Sequence, residues 1–388
     1  MRKLTTLVAA SAVTALLGLA LAVVPVSAAA EIAPCQDGTT NLPAGLQTDP
    51  YINPAPTEDR SFDGPTSTFA VDSPTSPQDE GITIGEDVLR NRICVGRANV
   101  KNLVDPDYQR SWDYWHDQIG GHGIQVYSKN INIGDMYIHG GEDSIKLQNC
   151  QEGNPPVGSD DCNVQQPGGV FHIADVALRN QHDDAIDDDD CMPGTIQNVL
   201  IEGHTGLSVQ EENSSSGPCQ SDGEGNISIT NSIIRTMPVS KFTPADGDQF
   251  PGGGKWLKFQ DNNNVEDHHT VTLQNVTLVV DRRPRSDWGS LDLPGANGTP
   301  GDVNWVGPNN FILYLNTAGE PYGGPVPGTQ GIPNSGPNAV TFQTGSQAKQ
   351  TFTTKRDNWL DAHGCQTEGP NDIDPKDSPM CRIKTGSK

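Results

Sequence analysis

Ile131-Asn132-Ile133-Gly134-Asp135-Met136-Tyr137-Ile138 is the first of five related segments. The others are Phe171-His172-Ile173-Ala174-Asp175-Val176-Ala177-Leu178, Thr195-Ile196-Gln197-Asn198-Val199-Leu200-Ile201, Ile227-Ser228-Ile229-Thr230-Asn231-Ser232-Ile233-Ile234 and Val271-Thr272-Leu273-Gln274-Asn275-Val276-Thr277-Leu278. Each alternates apolar and polar residues, meets an Asp or Asn, and then resumes. Alternation is the period of a strand with one buried face. The Asp or Asn anchors stand 40, 23, 33 and 44 positions apart, so the shortest interval suits one bare turn of a coil and the others a turn with an inserted loop. Ile133, Ile173, Ile196, Ile229 and Leu273 are then expected to point inward, and the anchors to stack at bends where Asp and Asn hydrogen-bond locally.

A second strand travels with the first in Gly141-Glu142-Asp143-Ser144-Ile145-Lys146-Leu147-Gln148, in Asp183 to Asp189 and in Gly206 to Glu212. Rungs of at least two strands, stacked in parallel about 4.8 Å apart, bring equivalent residues into columns. His139, Arg179, Glu202 and Arg235 form one such column, expected as a salt-bridged outward face. Ile145, Ile186 and Val209 are expected inward, with Lys146, Asp187 and Gln210 in one outward column and Gln148, Asp189 and Glu212 in another. Leu147, Asp188 and Glu211 fall on an inward column, where charge is hard to accommodate.

This rung pattern, with its Asp143-Ser144-Ile145 and Asp184-Ala185-Ile186 steps, resembles the right-handed parallel β-helix proteins of the pectin-lyase-like group over residues 120–285. The resemblance implies an all-β solenoid with inserted disulfide-closed loops. Residues 31–119 would supply a covering and the first rungs, and residues 286–388 a Gly/Pro-rich covering of the same domain with one clear strand at Phe311 to Leu315. It leaves function open, because lyases, hydrolases, epimerases and non-catalytic proteins share that fold.

Composition narrows the choice. The 388 residues include 42 Gly and 30 Pro, which excludes a helix bundle, and a net charge of −24 argues against nucleic acid or an anionic membrane as partner. Arg2 and Lys3, an apolar run from Leu4 to Val24 and the small residues Val26 to Ala30 read as a secretory signal over residues 1–30. Its removal takes away those two cations and no acid, leaving −26 on an extracellular chain. The eight Cys then read as a disulfide framework, with Cys150–Cys162, Cys365–Cys381 and Cys191–Cys219 as candidate local bridges.

The chemistry is concentrated in His182-Asp183-Asp184-Ala185-Ile186-Asp187-Asp188-Asp189-Asp190-Cys191, where six carboxylates fall within eight residues. Hard oxygen ligands at that density suit Ca²⁺, with Asp183, Asp184, Asp187, Asp189 and Glu212 as candidate ligands. Asp143 and the Asp183-Asp184 pair also resemble the paired-aspartate motif of polygalacturonase-type hydrolases. Gly121-His122-Gly123 and Arg382-Ile383-Lys384 look like two further motifs of that family. There the Gly-His-Gly follows the aspartates, whereas here it precedes them, and Arg382 lies in a Pro-rich tail, so the complete constellation is not expected.

Trp112, Trp115 and Trp256 are candidates for holding sugar faces, as flat aromatic rings among polar groups. Lys146, Lys241, Lys255 and Arg282 are candidate bases beside the acids Asp184 and Asp187. Together with the resemblance, these features imply a secreted polysaccharide-degrading enzyme. A Ca²⁺-assisted lyase on a uronate-containing, pectin-like glycan stands slightly ahead of a glycoside hydrolase using Asp143, Asp184 and Asp187. A non-catalytic glycan-binding protein is the third reading. The partner is a polysaccharide, with no nucleic acid and no membrane, and a monomer is the expected state.

Overall fold

The computed structural model describes residues 82–84, 92–96, 121–148, 169–188, 192–210, 225–239, 252–260, 270–281 and most of 303–364. It also describes the strand backbones at 39–41, 45–48, 51–52, 60–63, 67–71, 99–102, 150–152 and 162–165. The signal expected at residues 1–30 lies outside them. Among the described residues no helix is long and apolar enough to cross a membrane.

The anchor residues explain how the strands form. Asp135, Asp175, Asn198, Asn231 and Asn275 all adopt positive φ, between 52° and 57°. Asn and Asp enter that left-handed region more readily than other non-glycine residues. One such residue turns the chain sharply from a strand of one sheet into a strand of the next. The turned backbones bond to each other: the Asp135, Asp175, Asn198 and Asn231 N–H groups donate to the carbonyls of Ala174, Gln197, Thr230 and Gln274. The side chains add a ladder, Asn275 Nδ2 donating to Asn231 Oδ1 at 2.8 Å and Asn198 Nδ2 to Asp175 Oδ1.

The described strands form three parallel sheets of nine, ten and seven strands, each with its strands in chain order. A typical rung is Asn130–Gly134 in the first sheet, Tyr137–His139 in the second and Ile145–Gln148 in the third. The next is Val170–Ala174, Ala177–Arg179 and Asp184–Asp188. Ile133, Ile173, Ile196, Ile229 and Leu273 are in register and fully buried, as the alternation requires. Each such side chain stabilises the fold by about 1.5–3 kcal/mol over exposure. The arrangement is compatible with a parallel β-helix.

The sheets run past residues 120–285 at both ends. Thr39–Asn41 and Arg60–Asp63 extend the first sheet, while Asn310–Tyr314 and Val340–Thr344 extend the second. Thr39-Thr40-Asn41 and Arg60-Ser61-Phe62-Asp63 carry too few aliphatic residues to reveal the period in the sequence. Cys94 is disulfide-bonded. The backbones of Cys150–Glu152 and Cys162–Gln165 pair as an antiparallel ribbon, with Cys150 opposite Gln165.

One element departs from an all-β reading. Gly345–Ala362 is an 18-residue helix whose buried residues are Ala348, Phe352, Arg356, Trp359 and Leu360. These lie on one face at helical spacing. Ala348, Phe352, Trp359 and Leu360 share one buried apolar cluster with Leu313 and Leu315 and with Tyr137, Ala177, Leu200 and Ile233, the outward apolar column of the second sheet. An Arg in the apolar stripe, and Thr351, Thr353 and Thr354 around it, obscured the helix in the sequence.

That helix also corrects the expected outward salt-bridged face. His139, Arg179, Glu202 and Arg235 do stand in register, yet Arg179, Glu202 and Arg235 are each no more than 1% exposed. Arg179 Nη2 lies 2.7 Å from Glu202 Oε2, and Arg235 bridges Glu202 and Asp281, the latter through two hydrogen bonds. Arg356 enters from the helix, 3.6 Å from Glu202 Oε1.

Candidate functional site

The site is built on the bends that lead into the third sheet. Consecutive bends are joined backbone to backbone. Glu142 N–H donates to Gly121 O at 2.8 Å, Asp183 N–H to Glu142 O at 2.9 Å, and Thr205 N–H to Asp183 O at 2.9 Å. Equivalent side chains on neighbouring rungs therefore stack at strand spacing whatever their charge. Repulsion among the acids is imposed by the scaffold, and the rest of the fold sustains it.

Three carboxylates converge in consequence: oxygens of Asp143, Asp183 and Asp184 all lie within 4.8 Å of one another. Asp143 Oδ1 accepts the Asp184 backbone N–H at 2.9 Å, and its Oδ2 lies 3.0 Å from His122 Nδ1. From two rungs beyond Asp184, Lys258 Nζ donates to Asp184 Oδ2 at 2.7 Å. In the adjoining column Lys146 Nζ stands 3.6 Å from Asp187 Oδ2. His122, Asp143, Lys146, Asp184, Asp187 and His204 are all buried.

Burial and like charge act together on Asp143. Desolvation, then the carboxylates of Glu142, Asp184 and Asp183, push its carboxyl well above the usual range, and Lys146 opposes them only in part. Lys258 goes the other way from an ordinary buried amine. Burial works against its charge, but Asp184, Asp183 and Asp187 outweigh burial and hold the ammonium well above its usual value. Burial brings His204 down to about 4 despite Asp183, and burial followed by Lys146 lowers His122, so both imidazoles are neutral near pH 7. A carboxyl whose proton affinity is raised, beside a carboxylate paired with an ammonium, can give and accept protons at one place.

The expected residues are only partly gathered here. Asp183 and Asp184 belong to the cluster, Asp187 pairs with Lys146 beside it, and Lys255 is half-buried, its carbonyl accepting the Gly206 N–H at 2.8 Å. Asp189, Glu212, Lys241, Arg282, Trp112 and Trp115 lie outside the residues whose side chains are described. Trp256 is corrected: it is fully buried, with Nε1 donating to Val279 O at 2.8 Å, so its ring belongs to the core and cannot face a sugar.

The expected register is corrected too. Ile186 pairs with Leu207 and Asp187 with Ser208, two residues earlier than Val209 and Gln210. The bend from Glu202 to Leu207 is shorter than that from Arg179 to Ile186, and a shift of two preserves which face is buried. Asp188 does point inward, between Leu147 and Val209. It is fully buried, and its Oδ1 accepts the Met192 N–H at 3.1 Å.

The sequence offers Lys258 with Lys241 and Lys255 as a basic residue able to pair a uronate carboxylate or take a proton, whereas His204 was not singled out. Gly203-His204-Thr205-Gly206 follows one rung after the aspartates, and Lys258 stands on the next strand of the sheet. Compared with known proteins, the chain matches no family model, no curated protein and no solved structure.

Proposed function

We propose that this chain is a secreted, right-handed parallel β-helix enzyme that hydrolyses glycosidic bonds in a uronate-containing, pectin-like polysaccharide. The observation that carries the reading is the Asp143, Asp183 and Asp184 cluster with Lys258 ion-paired to Asp184. Asp143, protonated by its surroundings, gives its proton to the leaving glycosidic oxygen. Asp183 or Asp184 serves as the nucleophile, since carboxylate oxygens within 4.8 Å of one another are nearer the roughly 5–5.5 Å of retaining enzymes than the roughly 6.5–9.5 Å that leaves room for a water. Lys146, Lys255 and Lys258 offset the acidity of the site and supply a cationic lining for a uronate carboxylate.

A Ca²⁺-assisted lyase is the second reading, favoured by the same three oxygen ligands. Lys258 weighs against it, since its ammonium already stands on Asp184, where a divalent cation would bind. Incubation with pectic and other polysaccharides, with and without calcium, separates these readings. New reducing ends without unsaturated-uronate absorbance support the hydrolase. Absorbance that depends on calcium supports the lyase, and neither product on a broad panel leaves a glycan-binding protein. Secretion is checked by whether the exported chain begins after the alanines at residues 28–30, and the local disulfides by mass spectrometry of unreduced peptides.

A further inference from the structure

Among the described residues, Gly121-His122-Gly123 is a motif that the proposed reaction leaves unused, although it sits one rung before Asp143 and touches it. Its backbone is held on the Asp143 bend by three hydrogen bonds: Gly123 N–H to Asp143 O at 2.7 Å, Ile124 N–H to Ser144 O at 2.9 Å and Glu142 N–H to Gly121 O at 2.8 Å. The approach is close enough to require glycine at two places. A Cβ on residue 123 would stand 2.5 Å from Ser144 O and 2.6 Å from Ile138 Cγ2. Gly141, at φ +106°, would bring a Cβ to 2.9 Å from Asp143 O and 3.2 Å from Gly121 O. Two backbones pressed together in this way leave the His122 ring little freedom relative to the Asp143 carboxyl.

The carboxyl is consequently in contact at both oxygens: Oδ1 accepts the Asp184 N–H at 2.9 Å, and Oδ2 lies 3.0 Å from His122 Nδ1, a close approach whose angle is not that of a hydrogen bond. A carboxyl gripped on one oxygen alone can turn about its Cβ–Cγ bond. With the His122 ring against the second oxygen, it has less room to turn away from Asp183 and Asp184. Small displacements of a reacting group are costly, because a near-attack arrangement tolerates little misplacement.

We infer that His122 is a positioning residue for the proposed hydrolysis, its Nδ1 orienting the Asp143 carboxyl. The inference rests on the hydrolase reading. Its role is distinct from that of His204, which lies on the far side of the aspartates and follows them in the chain. Holding the acid in place acts on turnover and leaves substrate binding largely as it was.

Two variants test this in the full chain, on whichever polysaccharide the wild type cleaves. His122→Leu keeps the bulk and removes both nitrogens, whereas His122→Asn places an amide nitrogen near the position of Nδ1. We expect His122→Leu to lower kcat about tenfold to a hundredfold, less than the 10²–10⁴ lost with a general acid itself, with KM changed less than about twofold. His122→Asn should recover most of kcat. Wild-type turnover in His122→Leu overturns the inference and leaves the hydrolase reading standing. Equal losses in the two variants, or a loss seen mainly in KM, also overturn it, since a packing role would not distinguish an amide from an alkyl group. A wild-type chain that cleaves no glycan overturns the hydrolase reading and this inference together.

Discussion

Two buried clusters of charge stand on neighbouring sheets, and they are built to opposite ends. On the second sheet, Glu202 sits among Arg179, Arg235 and Arg356, with Asp281 holding the far side of Arg235. Every acid there faces a guanidinium. Although burial would raise the Glu202 carboxyl, the three arginines bring it down to about 2. At the bends into the third sheet, Asp143, Asp183 and Asp184 converge on one another, and Asp143 is pushed upward. The first cluster binds the helix to the sheet, while the second holds like charges together at a cost to stability. Compensated charge is structural and surplus charge is poised for chemistry, a contrast consistent with the stability that active sites give up for activity.

The largest effect that could break this contrast is on activity. Asp143→Asn should lower kcat by about 10²–10⁴ if Asp143 is the general acid, and should leave the melting temperature unchanged or raise it, because an amide cannot ionise and removes the cost of holding a raised carboxyl among like charges. Steady-state kinetics and calorimetry on the same preparation check both halves. A variant that is fully active, or one that melts far lower, would place Asp143 with the structural charges.

Glu202→Gln should do the reverse. It leaves three arginines facing one another in a buried site, and should cost about 3–5 kcal/mol of stability, read as a lower denaturant midpoint. A stability change below about 1 kcal/mol would mean that water reaches the arginines and that the helix covers them poorly.

Acid should sharpen the same difference. Glu202 is depressed from 4.5 to about 2, so its contribution is present above its unfolded value and is lost as pH falls through the window between them. That loss amounts to about 3 kcal/mol. Asp143 has the opposite sign: its raised value favours the folded state at low pH, and that contribution fades as pH rises from the unfolded value through the folded one. Wild type and Glu202→Gln should therefore converge in stability as the solution is acidified, a trend that urea titrations at successive pH values would reveal.

The smallest expected effect is at the end of the helix. His363 stacks on Trp359, with ring centroids 3.8 Å apart, and its Nε2 lies 3.2 Å from Asp175 Oδ1 on the anchor ladder. Burial lowers its basicity, but Asp175 and the Trp359 carbonyl overcome burial and raise it. The contact is complete below the ordinary histidine range and is lost as pH rises through the raised value. Hydrogen exchange of the last helical turn, corrected for intrinsic rates, should quicken above that value in wild type and show no such step in His363→Gln.

The strand period, the five anchors and the inward Ile and Leu rows were legible in the sequence, because a period of two and a left-handed Asp or Asn are local properties of the chain. Asp143, Asp183 and Asp184 were legible as a concentration of acid. Their convergence follows from register, which the repeat implies once rungs are stacked. His204 was harder to read, and the pairing of Lys258 with Asp184 could not be read, since a Lys 74 positions along the chain carries no local mark of its partner.

Burial of charge could be read only from the folded chain. Nothing in Arg179, Glu202 or Arg235 as residues distinguishes a solvated ladder from one sealed beneath a helix more than a hundred positions later. The same holds for Trp256, which has Lys255 and Lys258 close by in the sequence while its ring lies in the core. The sequence determined which residues share a face and a column, because that depends on backbone geometry within a few residues. Only the tertiary structure decided which faces are covered, and hence which charges are paired and which are strained, because desolvation depends on segments distant in the chain.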